Sequence, residues 1–333
     1  MTAPLLQIED LTVSFGNRSG AAFQAVSGVD LTVRAGEVQG IVGESGSGKS
    51  VTMLAVMQLL SPSAAIAGSI KLDGQELTGL SDRQMRKIRG ARIGYIFQDP
   101  MTALNPLLTV GQQISEAVRI HKPEASRSEA KQRAVELLRL VAIPMPEKRA
   151  EQYPHEFSGG MRQRAVIAMA MANEPDLLIA DEPTTALDVT IQAQIMELLD
   201  RLRREKGVGI VLVTHDLGVV AGVAKSLSIM YAGRIVERGL VDDVFAAPHH
   251  PYTRGLLDSL PQMDQRVERL RAIAGAPPPI SARPSGCAFH PRCSYAIERC
   301  LVERPPLRPV GPVEAACHRA EHVAAESRAR QDA

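Results

Sequence analysis

The sequence predicts an α/β protein: a mostly parallel sheet, an antiparallel strand region before it, a helical insertion within it and a small cysteine-bearing unit after it. Three observations carry this. Apolar runs of strand length, DLLIA at 176–180, GIVLVT at 209–214 and SLSIMY at 226–231, alternate with helical segments, as in a parallel sheet. From about 102 to 156 strand patterns fade, and apolar residues recur at helical spacing (Ile114, Val118; Val135, Leu138, Val141). All four cysteines, Cys287, Cys293, Cys300 and Cys317, fall in one proline-rich stretch near the end.

In chain order, LLQIEDLTVSF and VSGVDLTVRAGEVQGIV alternate apolar and polar residues between Gly-containing breaks, which predicts a small antiparallel sheet leading into a buried strand. A helix is expected at about 49–60, followed by a Gly-punctuated region and a basic helix start, SDRQMRKIRG. Beyond about 245, nine of the 22 prolines lie between 277 and 312, too many for regular helices or central strands. The expected domains are 1–245, with a helical subdomain at about 102–172, then a cysteine-bearing unit at 246–320 and a disordered tail at 321–333.

With 38 basic and 37 acidic side chains, the chain has no electrostatic case for binding nucleic acid or an anionic membrane surface. Its N-terminus, MTAPLLQIED, lacks the basic and apolar regions of a signal segment, and no apolar stretch is long enough to span a bilayer. A cytosolic protein is expected, and reducing conditions there make the thiols better metal ligands than disulfide partners.

The segment GESGSGKS, Gly43 to Ser50, fits G-x-x-x-x-G-K-[ST] between a predicted strand and a predicted helix. Its members Gly43, Glu44, Ser45, Gly46, Ser47 and Gly48 offer backbone N–H groups to phosphate oxygens. Lys49 offers a mobile positive charge, Ser50 a hydroxyl for Mg²⁺, and Val51 continues the helix. A Gly-rich turn is the bland alternative, disfavoured by those flanks. In LLIADEP, a buried strand ends in Asp181 and Glu182. There Asp181 can bind Mg²⁺ through water and Glu182 can orient and deprotonate an attacking water. Ser158, Gly159 and Gly160 of FSGGMRQR open a helix and form a second candidate anion site.

These motifs together resemble the ABC ATPase superfamily, whose signature FSGGMRQR resembles. The resemblance implies a P-loop NTPase core, ATP and Mg²⁺ as ligands, and a head-to-tail dimer in which each ATP lies between one subunit's phosphate loop and the other's signature. It further implies that Gln98 in YIFQDP is the Q-loop residue that contacts Mg²⁺ and the membrane subunit. Asp188 in TTALD would be the D-loop acid, and His215 in LVTHD the switch histidine at the γ-phosphate. The family stacks adenine on an aromatic residue, here Phe15 or its rival Phe23. Val51, where many relatives carry a hydroxyl, and Met161, where they carry glutamine, depart from the pattern without removing a charged group.

PHEFSGGMRQR, APHHPYTRGLLDSLP and PSGCAFHPRC narrow the resemblance to the ATP-binding subunits of dipeptide, oligopeptide and nickel importers. That implies two permease subunits, a second and often different ATP-binding subunit, an extracytoplasmic solute-binding protein, and a place on the cytoplasmic face of the membrane. A soluble, non-transport ABC ATPase is the alternative class, but translation-type members generally carry two cassettes and chromosome-type members a long coiled coil, whereas about 110 residues separate the two motifs here. The cysteine spacing C-x₅-C-x₆-C-x₁₆-C lacks the C-x₂-C knuckle usual for structural zinc. Zinc, with His290 or His318 replacing a thiolate, stays open. The resemblance implies a [4Fe–4S] cluster that orders residues 285–318, a stretch expected to have no core of its own and no part in ATP chemistry.

Overall fold

The computed structural model describes residues 3–16, 22–260 and 273–331. Its strands are β1 (Pro4–Gly16), β2 (Ala22–Arg34), β3 (Val38–Val42), β4 (Ala64–Leu72), β5 (Gln75–Glu76), β6 (Ile93–Ile96), β7 (Leu177–Asp181), β8 (Gly209–Thr214), β9 (Ser226–Tyr231), β10 (Arg234–Leu240), β11 (Arg308–Val310) and β12 (Val313–Ala315). The chain forms two compact units, residues 1–6, 33–38 and 72–213 in the first, 7–32, 39–71 and 214–333 in the second.

In the first unit β6, β7 and β8 lie parallel in that order, Ile93 opposite Leu177 and Leu177 opposite Gly209. All three strands are buried along their length, as near-continuous apolar runs require when both faces of a parallel sheet are covered. The helices Val110–His121 and Arg127–Leu140 start at capping boxes, Thr109 with Gln112 and Ser126 with Glu129. They bury Ile114 and Val118 on one and Ala134, Leu137 and Leu138 on the other. A Cβ at Gly111 would sit 2.6 Å from the Ala150 carbonyl oxygen, so the contact between Val110–His121 and Pro146–Ala150 depends on that glycine.

In the second unit β2, β1 and β4 are neighbours in a sheet. Five residues separate β1 from β2, too few for a parallel crossover, so this pair is antiparallel. β3 runs parallel to β9, Val42 opposite Ile229, and β10 follows antiparallel on the far side of β9. The β11–β12 hairpin pairs with β10 through β12. The prolines argued against central strands here, and Pro309 is accommodated because β11 lies at the edge, where a missing N–H donor breaks no ladder.

Two further expectations for this end of the chain are corrected. Tyr231, Tyr252 and Phe289 are buried against one another at centroid distances of 4.7–5.4 Å, and Val310, Ala315 and Ala320 form a second small core with Cys317 against it. The stretch does have a core, built partly with aromatic pairs worth about 0.5–1.5 kcal/mol each beyond their burial. The expected disordered tail is a helix, Ala320–Gln331, as far as the described residues extend. It buries Ala320, Val323 and Ala324, and Glu326 accepts hydrogen bonds from Arg254 and Tyr295. Composition hid this because the anchoring partners lie about 30 and 70 residues away in sequence.

Glu237, fully buried on β10, accepts N–H bonds from His249 and His250. Burial raises its carboxyl to about 7, against the partial offset of those bonds. The His250 Nδ1 caps the helix Pro251–Asp258 by accepting the Tyr252 N–H, and burial lowers that imidazole to about 3. Below the ordinary histidine value the unfolded chain takes up a proton that folded His250 refuses, so stability falls as pH drops from about 6.5 toward 3. Glu237 acts oppositely: the unfolded carboxyl ionises from about 4.5 while the folded one waits until about 7, so stability falls as pH rises through that window. In urea titrations, Glu237→Gln is expected to abolish the decline between pH 6.5 and 7.5; an identical decline in parent and variant refutes the assignment.

Candidate functional site

Two sets of residues are built separately, one in each unit. In the second unit β3 ends at Val42 and the loop Gly43–Ser50 leads into the helix Lys49–Val56. A Cβ on Gly43 would lie 2.2 Å from the Met230 carbonyl oxygen, so only glycine fits where β3 and β9 end together. Gly46 and Gly48 have φ of 78° and 104°, the left-handed region that turns N–H groups inward. Gly48 is the N-cap and supplies no side-chain acceptor to the first turn of the helix, a terminus suited to an anion. Lys49 is 4% exposed, and its Nζ donates to the carbonyl oxygens of Gly43 (2.7 Å) and Glu44 (3.0 Å). The buried Ser47 hydroxyl has no hydrogen-bond partner among the described residues. A loop with inward N–H groups, a buried ammonium and an orphaned hydroxyl fits a polyphosphate.

Glu44 is held from three sides. Its N–H donates to the Tyr252 hydroxyl (2.7 Å), its carbonyl accepts from Lys49, and its carboxylate receives both terminal nitrogens of Arg292 at 2.6 and 2.9 Å. Hydrogen bonding to Glu44 raises the Arg292 guanidinium further, and burial raises the Tyr252 phenol. Arg292 adjoins Cys293, so the cysteine-bearing segment touches the Gly43–Ser50 loop through this pair. Phe15 and Phe23 stack on each other, centroids 5.8 Å apart. His215 follows β8 and is exposed, and Asp216 next to it caps the short helix Leu217–Ala221.

In the first unit β7 ends at Asp181, which is 6% exposed and accepts a hydrogen bond from the Tyr95 hydroxyl (2.9 Å). Burial, then the Asp181 charge, raise the Tyr95 phenol, so it stays a neutral donor. Glu182 adopts φ 49°, an uncommon conformation for a residue with a side chain, and its N–H bonds the Val213 carbonyl. Its carboxylate accepts from Gln98 (3.0 Å) and Thr185 (2.9 Å), which fix its direction. Gln98 and Glu182 are thus brought together from positions 84 residues apart.

Ser158 caps the helix Gly159–Ala170, and Ser158 and Gly159 are exposed. A Cβ at Gly160 would lie 2.8 Å from Ile191, so that glycine also permits close packing of two helices. Asp188 is exposed and caps the helix Val189–Lys206 by accepting the Ile191 N–H (3.0 Å).

Near the end of the chain the four cysteine sulfurs are close enough to influence one another electrostatically. Burial pushes Cys293 up to about 11 and Cys317 up to about 12, and raises Cys287 as well. Backbone N–H groups of Phe289, Tyr295 and Arg319 point at three of the sulfurs. Among the described residues no group of three or more His, Cys, Asp or Glu side chains is placed to hold a metal ion.

Sequence reasoning missed Arg292, Tyr252, His250 and Glu237. The signal of the first three was present in PHHPYT and HPRC, but no local pattern connects either string to residue 44, and Glu237 in RIVERGL carried none.

Among the described residues no helix is long and apolar enough to cross a membrane. Residues 26–185 match the ABC transporter family, and residues 236–300 match the oligopeptide/dipeptide transporter C-terminal region. The oligopeptide transport ATP-binding protein OppD of Bacillus subtilis (strain 168) is 54% identical over 91% of this chain and 85% of its own length. The dipeptide transport ATP-binding protein DppD of Escherichia coli (strain K12) is 51% identical over 91% and 92%. The solved dimeric, post-hydrolysis structure of the ATP-binding cassette MJ0796 bound to ADP and Pi superposes with a TM-score of 0.64, at 31% identity, over 71% of this chain and 98% of that one. The chain belongs to the ABC transporter ATPases, in the branch of the oligopeptide and dipeptide transport ATP-binding proteins.

Proposed function

We propose that this chain hydrolyses ATP to drive import of di- or oligopeptides from the cytoplasmic face of the membrane. It would do so with two permease subunits, a second ATP-binding subunit and an extracytoplasmic solute-binding protein. The observation that carries the ATP reading is the loop around Lys49, which joins a buried ammonium to a helix N-terminus without a side-chain cap. Lys49 then receives the outer phosphates, Ser50 and Asp181 hold Mg²⁺ with Gln98, and Phe15 or Phe23 stacks on adenine. Glu182 takes the proton of the attacking water; its left-handed backbone and the bonds from Gln98 and Thr185 support that role by aiming the carboxylate. His215 contacts the γ-phosphate.

The exposed Ser158, Gly159, Asp188 and Val189, the last 81% exposed, support docking of a second cassette on this face. Phe97, Met101 and Leu107 are exposed beside Gln98 in sequence and suit an apolar permease contact. Nickel or another small solute is the alternative cargo; the relatives' names favour peptides.

Four cysteines within residues 287–317, with the Arg319 N–H donating to the Cys317 sulfur, support a [4Fe–4S] cluster held by thiolates. The cluster's contribution is structural, a staple for the segment.

Lys49→Ala is expected to weaken nucleotide binding. Glu182→Gln should retain ATP and lose about 10²–10⁴ in turnover in the assembled transporter, as removal of a general base does; parental turnover refutes the role. Ser158→Arg should impair hydrolysis at the site whose phosphate loop belongs to the other subunit, measured with mixed parental and mutant subunits. Damage confined to the site containing this chain's own Lys49 contradicts the split arrangement. Protein purified without oxygen should be brown with about four irons per chain, and Cys293→Ser should loosen the segment. Colourless anaerobic protein with one stoichiometric zinc rules the cluster out.

A further inference from the structure

Glu44 places a carboxylate inside a loop shaped for anions. Left unpaired it would repel the phosphates the loop receives. Arg292 meets it with two parallel N–H···O bonds of 2.6 and 2.9 Å, the fork geometry that only arginine offers a carboxylate. Arg292 is itself immobilised. Its side chain is 5% exposed, its guanidinium lies 5.9 Å from the Tyr231 ring centre and 5.8 Å from that of Phe289, and its Nε donates to the Ala274 carbonyl. The residue it holds is also the one whose carbonyl oxygen anchors Lys49. Tyr252 fixes the N–H of the same residue from a helix capped by His250. All of these residues belong to the second unit.

We infer that Arg292 is a positioning residue for the nucleotide: by neutralising and orienting Glu44 it sets the loop's affinity for ATP, although it lies about 250 positions away in the cysteine-bearing segment. The inference rests on reading Gly43–Ser50 as the ATP phosphate site. It makes the C-terminal segment part of the nucleotide machinery rather than an appendage. A purely structural tie would leave ATP affinity untouched and change only stability, which separates the two roles experimentally.

The test uses the full chain titrated with a fluorescent ATP analogue and Mg²⁺, with melting temperature recorded without nucleotide. Arg292→Met leaves the Glu44 carboxylate uncompensated and is expected to weaken binding about 10-fold, a typical size for loss of one partner of a close charge pair. Arg292→Lys keeps the charge but loses the fork, and is expected to weaken it about 3-fold. Adding Glu44→Gln to Arg292→Met removes the repulsion, so affinity should return to within about 3-fold of the parent even if the melting temperature does not recover. Affinity within about 2-fold of the parent in folded Arg292→Met, or a double variant as weak as Arg292→Met alone, overturns the inference. Where Arg292→Met is recovered unfolded, Arg292→Lys decides, and unchanged affinity there overturns it equally. Lys49→Ala run alongside distinguishes the two levels: if it binds ATP like the parent, the reading of the loop fails and the inference with it.

Discussion

Gly43 is held where β3 and β9 end side by side, at a point where any Cβ would meet the Met230 carbonyl oxygen at 2.2 Å. That contact dictates how the chain leaves the sheet. The loop must turn at once, and it does so through the left-handed Gly46 and Gly48. The helix Lys49–Val56 then begins at Gly48 without a side-chain cap. Buried β3 and β9 make this a rigid mount, so the position of Lys49 is inherited from the sheet rather than from the flexibility of a glycine-rich segment.

The same mount serves the C-terminal segment. Tyr231 ends β9 and packs against Tyr252 and Phe289, and Arg292 lies over that aromatic group before reaching Glu44. Removing one aromatic ring would therefore loosen both the segment's core and the loop's electrostatic partner. Glu237 and His250, oppositely displaced in proton affinity by burial, orient the helix that presents the Tyr252 hydroxyl. A buried polar chain of this kind has a fixed geometry because every member would be costly to leave unpaired.

In the first unit the sequence order of motifs says nothing about direction, and the backbone supplies it. Glu182 sits at φ 49° directly after the buried Asp181, so two adjacent acids are turned to different partners: Tyr95 holds one, Gln98 and Thr185 the other. Environment rather than residue type distinguishes a carboxylate suited to a cation from one suited to a water.

The sequence by itself determined the α/β class, the order of the nucleotide motifs and the family, because those depend on local periodicity and on short strings whose chemistry is self-contained. GESGSGKS needs only its flanking strand and helix to be interpretable. It could not show that the stretch from 285 onward has a core, that residues 320–331 form a helix or that Arg292 pairs with Glu44, since each depends on partners far along the chain. The extremes are clear in two arginines of similar local context. Arg299 pairs with Glu303 one helical turn away, a contact readable from spacing, whereas Arg292 finds its carboxylate 248 positions away. Only the tertiary fold could decide the second, because loop closure, burial and the aromatic seat beneath the guanidinium act together and none of them leaves a local trace in the sequence.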